Sequence, residues 1–196
     1  MTRANSLYSI PNLLCYFRVA VIPVMGVLFC FDSPFAAWTN LLLFSLAGLS
    51  DFLDGIIARA TGQATLLGKF LDSSTDKILV GVTLMLLIAF DRLTGVWIIP
   101  ALVIFLREIL ISGVREFMAL QHVIVPISRL GKWKLTTQMF FMGFLVVGDY
   151  GDALVPQALL IGKLGLVFAA VITVLSGWDY MREAWKTLEK MDAERS

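Results

Sequence analysis

Six long apolar runs decide what this chain can become. They read "VAVIPVMGVLFCF", "PFAAWTNLLLFSLAGL", "ILVGVTLMLLIAF", "GVWIIPALVIFL", "TTQMFFMGFLVVG" and "LGLVFAAVITVLSGW". A spanning helix needs roughly 20 residues, so several runs must extend through polar neighbours to cross. The resulting expectation is an all-α integral membrane protein with six transmembrane helices near 11–31, 35–60, 66–90, 94–120, 132–149 and 154–183. The composition excludes an ordinary soluble domain: of 196 residues 58 % are hydrophobic and only 16 % charged, with mean hydropathy +0.82. A soluble chain of this length needs far more polar surface.

The formal net charge of +1 says nothing about partners, but its distribution does. Arg59, Lys69 and Lys77 flank the second connection, and Arg115, Arg129, Lys132 and Lys134 flank the fourth. Arg182, Lys186, Lys190 and Arg195 lie in the tail, and Arg3 precedes the first span. The opposite connections, around Asp32, Asp91 and Asp149–Asp152, carry Arg92 alone. Because cytoplasmic loops concentrate Lys and Arg, both termini and the second connection are expected on the cytoplasmic face of an inner membrane. With no linker, repeat or low-complexity stretch, residues 1–196 read as one membrane-embedded domain. A short interfacial segment, 1–10, opens it and a charged helix end, 182–196, closes it. The first run is long and lacks a small-residue cleavage pattern, so it reads as an anchor rather than a removable leader. Cys15 and Cys30 are about 22 Å apart along one helix and cannot pair.

Against this apolar background stands "SDFLDGIIARATGQATLLGKFLDSSTDK", residues 50–77. At about 100° per residue, Asp51, Asp54, Gly55 and Ala58 share one helical stripe, and Gly68, Asp72 and Asp76 share another. Four carboxylates brought together repel and raise one another's pKa values. One or two hard divalent cations remove that repulsion, and an all-oxygen donor set favours Mg²⁺ or Mn²⁺ over Zn²⁺. Acidic residues within spans are functional by default. Gly55, Ala58 and Gly68 let a flat group approach the backbone closely, or serve helix packing; both readings stand.

The spacing D-x2-D-G-x2-A-R-x8-G-x3-D-x3-D is complete at Asp51, Asp54, Gly55, Ala58, Arg59, Gly68, Asp72 and Asp76. It resembles the signature of the CDP-alcohol phosphotransferases, membrane enzymes with a six-helix core. The resemblance implies that Asp51, Asp54, Asp72 and Asp76 hold two Mg²⁺ or Mn²⁺ ions, and that Asp76 is also the general base. It implies CDP-diacylglycerol as donor, with Asn12, Cys15, Gly55, Ala58, Arg59, Thr65 and Gly68 at its binding site. It also suggests a homodimer.

Three further segments, "IPNLLCYFRVAVIP", "LREILISGVRE" and "GKWKLTTQM", are similar to the branch of that family that makes phosphatidylglycerophosphate. Two departures stand out: Cys15 occupies a position where that branch has Thr, and "LDSSTDK" replaces its L-D-P-x-A-D-K. The implied acceptor is sn-glycerol 3-phosphate. Arg107, Arg115, Lys132 and Lys134 are its candidate phosphate ligands, since an Arg fork suits phosphate oxygens. Arg107 lies deep in a span, where a cation needs a partner; an ion pair with Glu108 or an aspartate is the alternative role. Lys132 and Lys134 serve equally as topology signals. His122 reads as a solvated loop residue, and Lys163 as a snorkelling cation. A phosphatidylinositol-phosphate or cardiolipin synthase of the same fold stays open. A cation-coupled transporter is the remote alternative, although no repeat is visible. Nothing points to nucleic acid.

Overall fold

A computed structural model of the chain describes residues 10–61, 66–121, 123 and 129–195, and among these residues there is no strand. Six helices follow one another: α1 (Ile10–Phe29), α2 (Pro34–Thr61), α3 (Leu66–Ala89), α4 (Ile98–Leu120), α5 (Arg129–Val147) and α6 (Ala158–Arg195). The all-α, six-helix expectation holds. Stretches within α1, α4 and α6 are long and apolar enough to cross a membrane. α2 and α3 carry the aspartates, and α5 opens on Arg129, Lys132 and Lys134. The expected interfacial segment lies almost wholly outside the described residues.

Local chemistry sets the helix ends. At the entry to α2, Ser33 Oγ accepts the Ala36 N–H at 3.2 Å, while Pro34 fills a first-turn position where its missing N–H costs nothing. α6 starts at Ala158, later than the expected 154, because Gly148–Ala153 winds into a 3₁₀ turn. Asp152 then accepts the first α6 N–H, that of Ala158, at 2.8 Å. From there 38 residues run unbroken, about 57 Å at 1.5 Å per residue, far beyond a hydrocarbon core of about 30 Å.

The chain divides into two compact units. One holds the described residues up to Leu93 with Gly143–Leu160; the other holds Thr94–Met142 with the chain from Ile161 onward. In the first unit, α1 packs on α2 and α3. Val21, Met25, Ala36, Phe44, Leu84 and Leu87 are all buried, and the Phe29 and Phe90 rings stack at 5.4 Å. Its loop end is tied twice: Arg92 Nη1 donates to Asp149 at 3.2 Å and Tyr150 donates to Asp32 at 2.9 Å. The hydrogen bond to Asp32 raises the Tyr150 pKa above the ordinary phenol value. Gly148 closes α5 at φ +61°, and a Cβ there would fall inside the Arg92 guanidinium. Gly148→Ala is therefore expected to destabilise by about 1–3 kcal/mol from the left-handed backbone alone, more once Arg92 is displaced. A denaturation series in detergent measures it.

In the second unit Ile111, Met118, Tyr180 and Ala184 form a buried cluster, with Val114, Met181 and Leu188 against it. This packing carries α6 past its apolar part as a helix. Gly165 lets the Phe141 ring lie on the α6 backbone, where a side chain would occupy the ring's place. Burial across both units is inverted relative to a soluble protein. Val27, Phe35, Leu102, Leu106 and Leu110 are exposed, whereas Arg18, Asn40, Thr83, Gln138 and Thr173 are almost completely buried. An apolar exterior over a partly polar interior suits a chain whose solvent is lipid.

Candidate active site

The aspartate signature straddles the end of α2 and the start of α3, so Asp51 and Asp54 ride one helix and Asp72 and Asp76 the next. The side chains of Asp54, Ala58, Arg59, Asp72 and Lys132 lie outside the described residues, as do Thr65 and His122 altogether. Gly55 is placed on α2 by its backbone only, and Gly68 sits in the first turn of α3. Asp51 and Asp76 are both partly accessible, at 22 % and 35 % of their side chains. Asp76 Oδ1 accepts the Lys77 N–H at 2.7 Å. No three metal-ligating side chains converge among the described residues, and the carboxylates of Asp54 and Asp72 are not among them. The donor chemistry itself fits a hard divalent ion, since these are carboxylate oxygens.

α1 supplies what the sequence reading passed over. Asn12, Cys15, Arg18, Val21 and Met25 are its buried face. Arg18, 0 % exposed, donates from Nη1 to Asp51 Oδ1 at 2.6 Å and to Thr75 Oγ1 at 3.1 Å. Its Nη2 approaches Cys15 Sγ at 3.8 Å. Cys15 is thus buried beside the signature, whereas Cys30 is exposed at the far end of α1, and both are free thiols. A signal for Arg18 was present: an arginine within an apolar span demands a partner, and the spare acids of the first unit's spans are the signature aspartates.

In the second unit the structure brings Arg107, Glu108 and Lys134 into one linked set. Lys134 pairs with Glu108, and Arg107 Nη1 lies 3.7 Å from the same carboxylate. Arg107 also donates from Nε to the Thr173 carbonyl and from Nη2 to Ser176 Oγ, each at 3.1 Å. Gly177 makes room for it, since a Cβ there would stand 3.0 Å from Nε. Two cations on one carboxylate leave this set with a surplus positive charge. Arg115 is separate and exposed, its guanidinium 5.8 Å from the centre of the Tyr180 ring. One turn past Lys134, Gln138 is fully buried with neither amide atom hydrogen-bonded. Buried amides are rarely left so.

Comparison with known proteins decides the family. The model of the family described as CDP-alcohol phosphatidyltransferase matches residues 8–177, which takes in the first five helices, the start of α6 and the whole signature. The chain belongs to the CDP-alcohol phosphatidyltransferase family. Within it, a relative from Rickettsia bellii, named CDP-diacylglycerol–glycerol-3-phosphate 3-phosphatidyltransferase, is 41 % identical over 91 % of this chain and 96 % of its own. A cardiolipin synthase (CMP-forming) from Oryza sativa subsp. japonica is 35 % identical over 94 % of this chain and 60 % of its own. Among solved structures, the phosphatidylinositol phosphate synthase of Mycobacterium tuberculosis, with CDP-DAG bound, matches with a TM-score of 0.64. It shares 22 % identity over 91 % of this chain and 88 % of its own. That likeness fixes the fold of this CDP-alcohol phosphatidyltransferase family member. The choice of acceptor has to come from closer relatives and from the cations of α4 and α5.

Proposed function

We propose that the protein transfers the phosphatidyl group of CDP-diacylglycerol to sn-glycerol 3-phosphate, giving phosphatidylglycerophosphate and CMP. The observation that carries this reading is the near full-length identity to relatives named for that reaction. The complete aspartate signature supports it. A hydroxyl oxygen of the acceptor attacks the phosphorus that bears the diacylglycerol. The new P–O bond forms as the bond to the CMP oxygen breaks, and Asp76 takes the hydroxyl proton. Asp51, Asp54, Asp72 and Asp76 are the residues that would hold two divalent ions, Mg²⁺ or Mn²⁺. Bound there, the ions would neutralise charge on the pyrophosphate and the leaving CMP. Asn12, Cys15, Gly55, Ala58, Arg59, Thr65 and Gly68 form the proposed donor site. Arg107, Arg115, Lys132 and Lys134 form the proposed site for the acceptor's phosphate, and the surplus charge around Glu108 favours an anion there.

The test is purified protein with CDP-diacylglycerol and a panel of acceptors, following CMP release. Turnover is expected with glycerol 3-phosphate and little with glycerol or inositol. Preference for phosphatidylglycerol would favour the cardiolipin synthase reading, and preference for inositol phosphate the phosphatidylinositol-phosphate synthase reading.

The proposed location is the inner membrane, with both termini and the active site cytoplasmic and two chains forming a homodimer. The asymmetry of Lys and Arg motivates the orientation. In a background lacking Cys15 and Cys30, a reporter cysteine at Asp152 is expected to label with an impermeant thiol reagent from outside intact cells. Reporters at Ser73 and Ser196 are expected to stay unlabelled. The reverse pattern would put the site on the wrong face for water-soluble cytoplasmic substrates.

A further inference from the structure

We propose that Arg18 is a positioning residue for the metal-binding carboxylates. It holds the Asp51 carboxylate in one orientation and ties it, through Thr75, to the helix that carries Asp72 and Asp76. This inference rests on the aspartates binding divalent metal, as proposed above.

The geometry is specific. Arg18 is fully buried on α1, and its Nη1 reaches α2 at Asp51 (2.6 Å) and α3 at Thr75 (3.1 Å) together. Thr75 is itself buried and immediately precedes Asp76, so the link ends one residue from the proposed base. A charge-assisted bond of 2.6 Å to a side chain on a third helix removes rotamer freedom from Asp51. It does not exhaust the carboxylate, which has two oxygens and about four lone-pair sites. Carboxylates that ligate metals are commonly oriented by such hydrogen-bonded partners. The guanidinium suits this task better than an ammonium, because its planar fork meets two acceptors in fixed directions. A pair that served only to neutralise a buried cation would cost stability when broken, yet leave metal affinity unchanged in the folded protein. A positioning role ties the two together.

Mn²⁺ binding to the purified full-length chain, read from the electron paramagnetic resonance signal of free Mn²⁺ without either substrate, separates the two. Arg18→Gln is expected to weaken Mn²⁺ binding roughly 10- to 100-fold, with the helical circular dichroism spectrum retained. Arg18→Lys keeps the charge and is expected to recover part of the loss. Thr75→Val, which leaves the Arg18–Asp51 pair in place, is expected to weaken binding by a smaller factor. A folded Arg18→Gln variant with unaltered Mn²⁺ affinity would overturn the inference while leaving the metal assignment standing. Should that variant not fold, unaltered affinity in Thr75→Val would overturn it instead. No Mn²⁺ binding by the unaltered protein would overturn the metal assignment and this inference together.

Discussion

Asp54→Asn and Asp72→Asn are expected to abolish CMP release through loss of metal, while Asp76→Asn lowers kcat by about 10²–10⁴ as the proton acceptor is removed. Donor binding should survive best in Asp76→Asn. Asp51→Asn is expected to differ from all three, because Arg18 loses its carboxylate partner as well. Removing one partner of a buried charge-assisted bond costs about 1–3 kcal/mol; Asp51 is 22 % exposed, which favours the lower end. That variant should therefore lose stability along with activity. CMP release across a Mg²⁺ titration, paired with thermal denaturation in detergent, measures both. Near-normal turnover of Asp51→Asn, Asp54→Asn or Asp72→Asn at low Mg²⁺ would defeat the two-metal reading.

Glu108→Gln carries the second large effect. Its carboxylate serves both buried Lys134 and half-buried Arg107, so neutralising it removes the negative charge that the two share. A loss of about 1–3 kcal/mol of stability is expected. Arg115→Ala should instead raise the glycerol 3-phosphate requirement, since it removes a charge-assisted contact worth about 1.5–3 kcal/mol. That equals roughly a ten- to hundredfold loss in acceptor kcat/KM, with the donor KM much less affected. Arg107→Ala is expected to combine the two signatures, because its guanidinium also holds the Thr173 carbonyl and Ser176 on α6. Equal losses toward donor and acceptor in Arg115→Ala would assign that arginine to the scaffold.

Much of this was legible in the sequence, for identifiable reasons. Helix positions follow from runs of apolar residues, and five of the six begin and end within a few residues of expectation. The sixth starts four residues later than expected, while its run to Arg195 agrees with the charged helix end expected over 182–196. Its start depends on Asp152 capping Ala158 across a 3₁₀ turn. Its extension to Arg195 depends on Tyr180, Ala184 and Leu188 packing beneath a polar surface. The aspartate signature could be read because its logic is local, four acids at helical spacing on consecutive helices. Pairings between distant helices have no such periodicity. Arg18 with Asp51, and Lys134 with Glu108, lie 33 and 26 residues apart, and nothing in their neighbourhoods selects those partners among the acids available. The Glu108 alternative for Arg107 was visible because the two are adjacent, and the structure places them in contact.

The surroundings of Arg18 also bear on how this chain can be compared with its relatives. Cys15 and Thr75 stand where the resembling branch has Thr and Ala. Both touch the same guanidinium, from α1 at 3.8 Å and from α3 at 3.1 Å. The hydroxyl that the pattern places on α1 is in this chain found across the guanidinium, on α3. The two positions should then behave as one heritable unit. Thr75→Ala alone would remove the hydroxyl that Arg18 meets on α3. Cys15→Thr alone would set a second hydroxyl beside the same guanidinium, and the double exchange should restore what Thr75→Ala loses. Chimeras that move α1 without α3 would carry that mismatch into the centre of the first unit. Contacting residues that share a partner commonly show coupling of about 0.5–3 kcal/mol, enough to make a functional ancestor look like a failed graft.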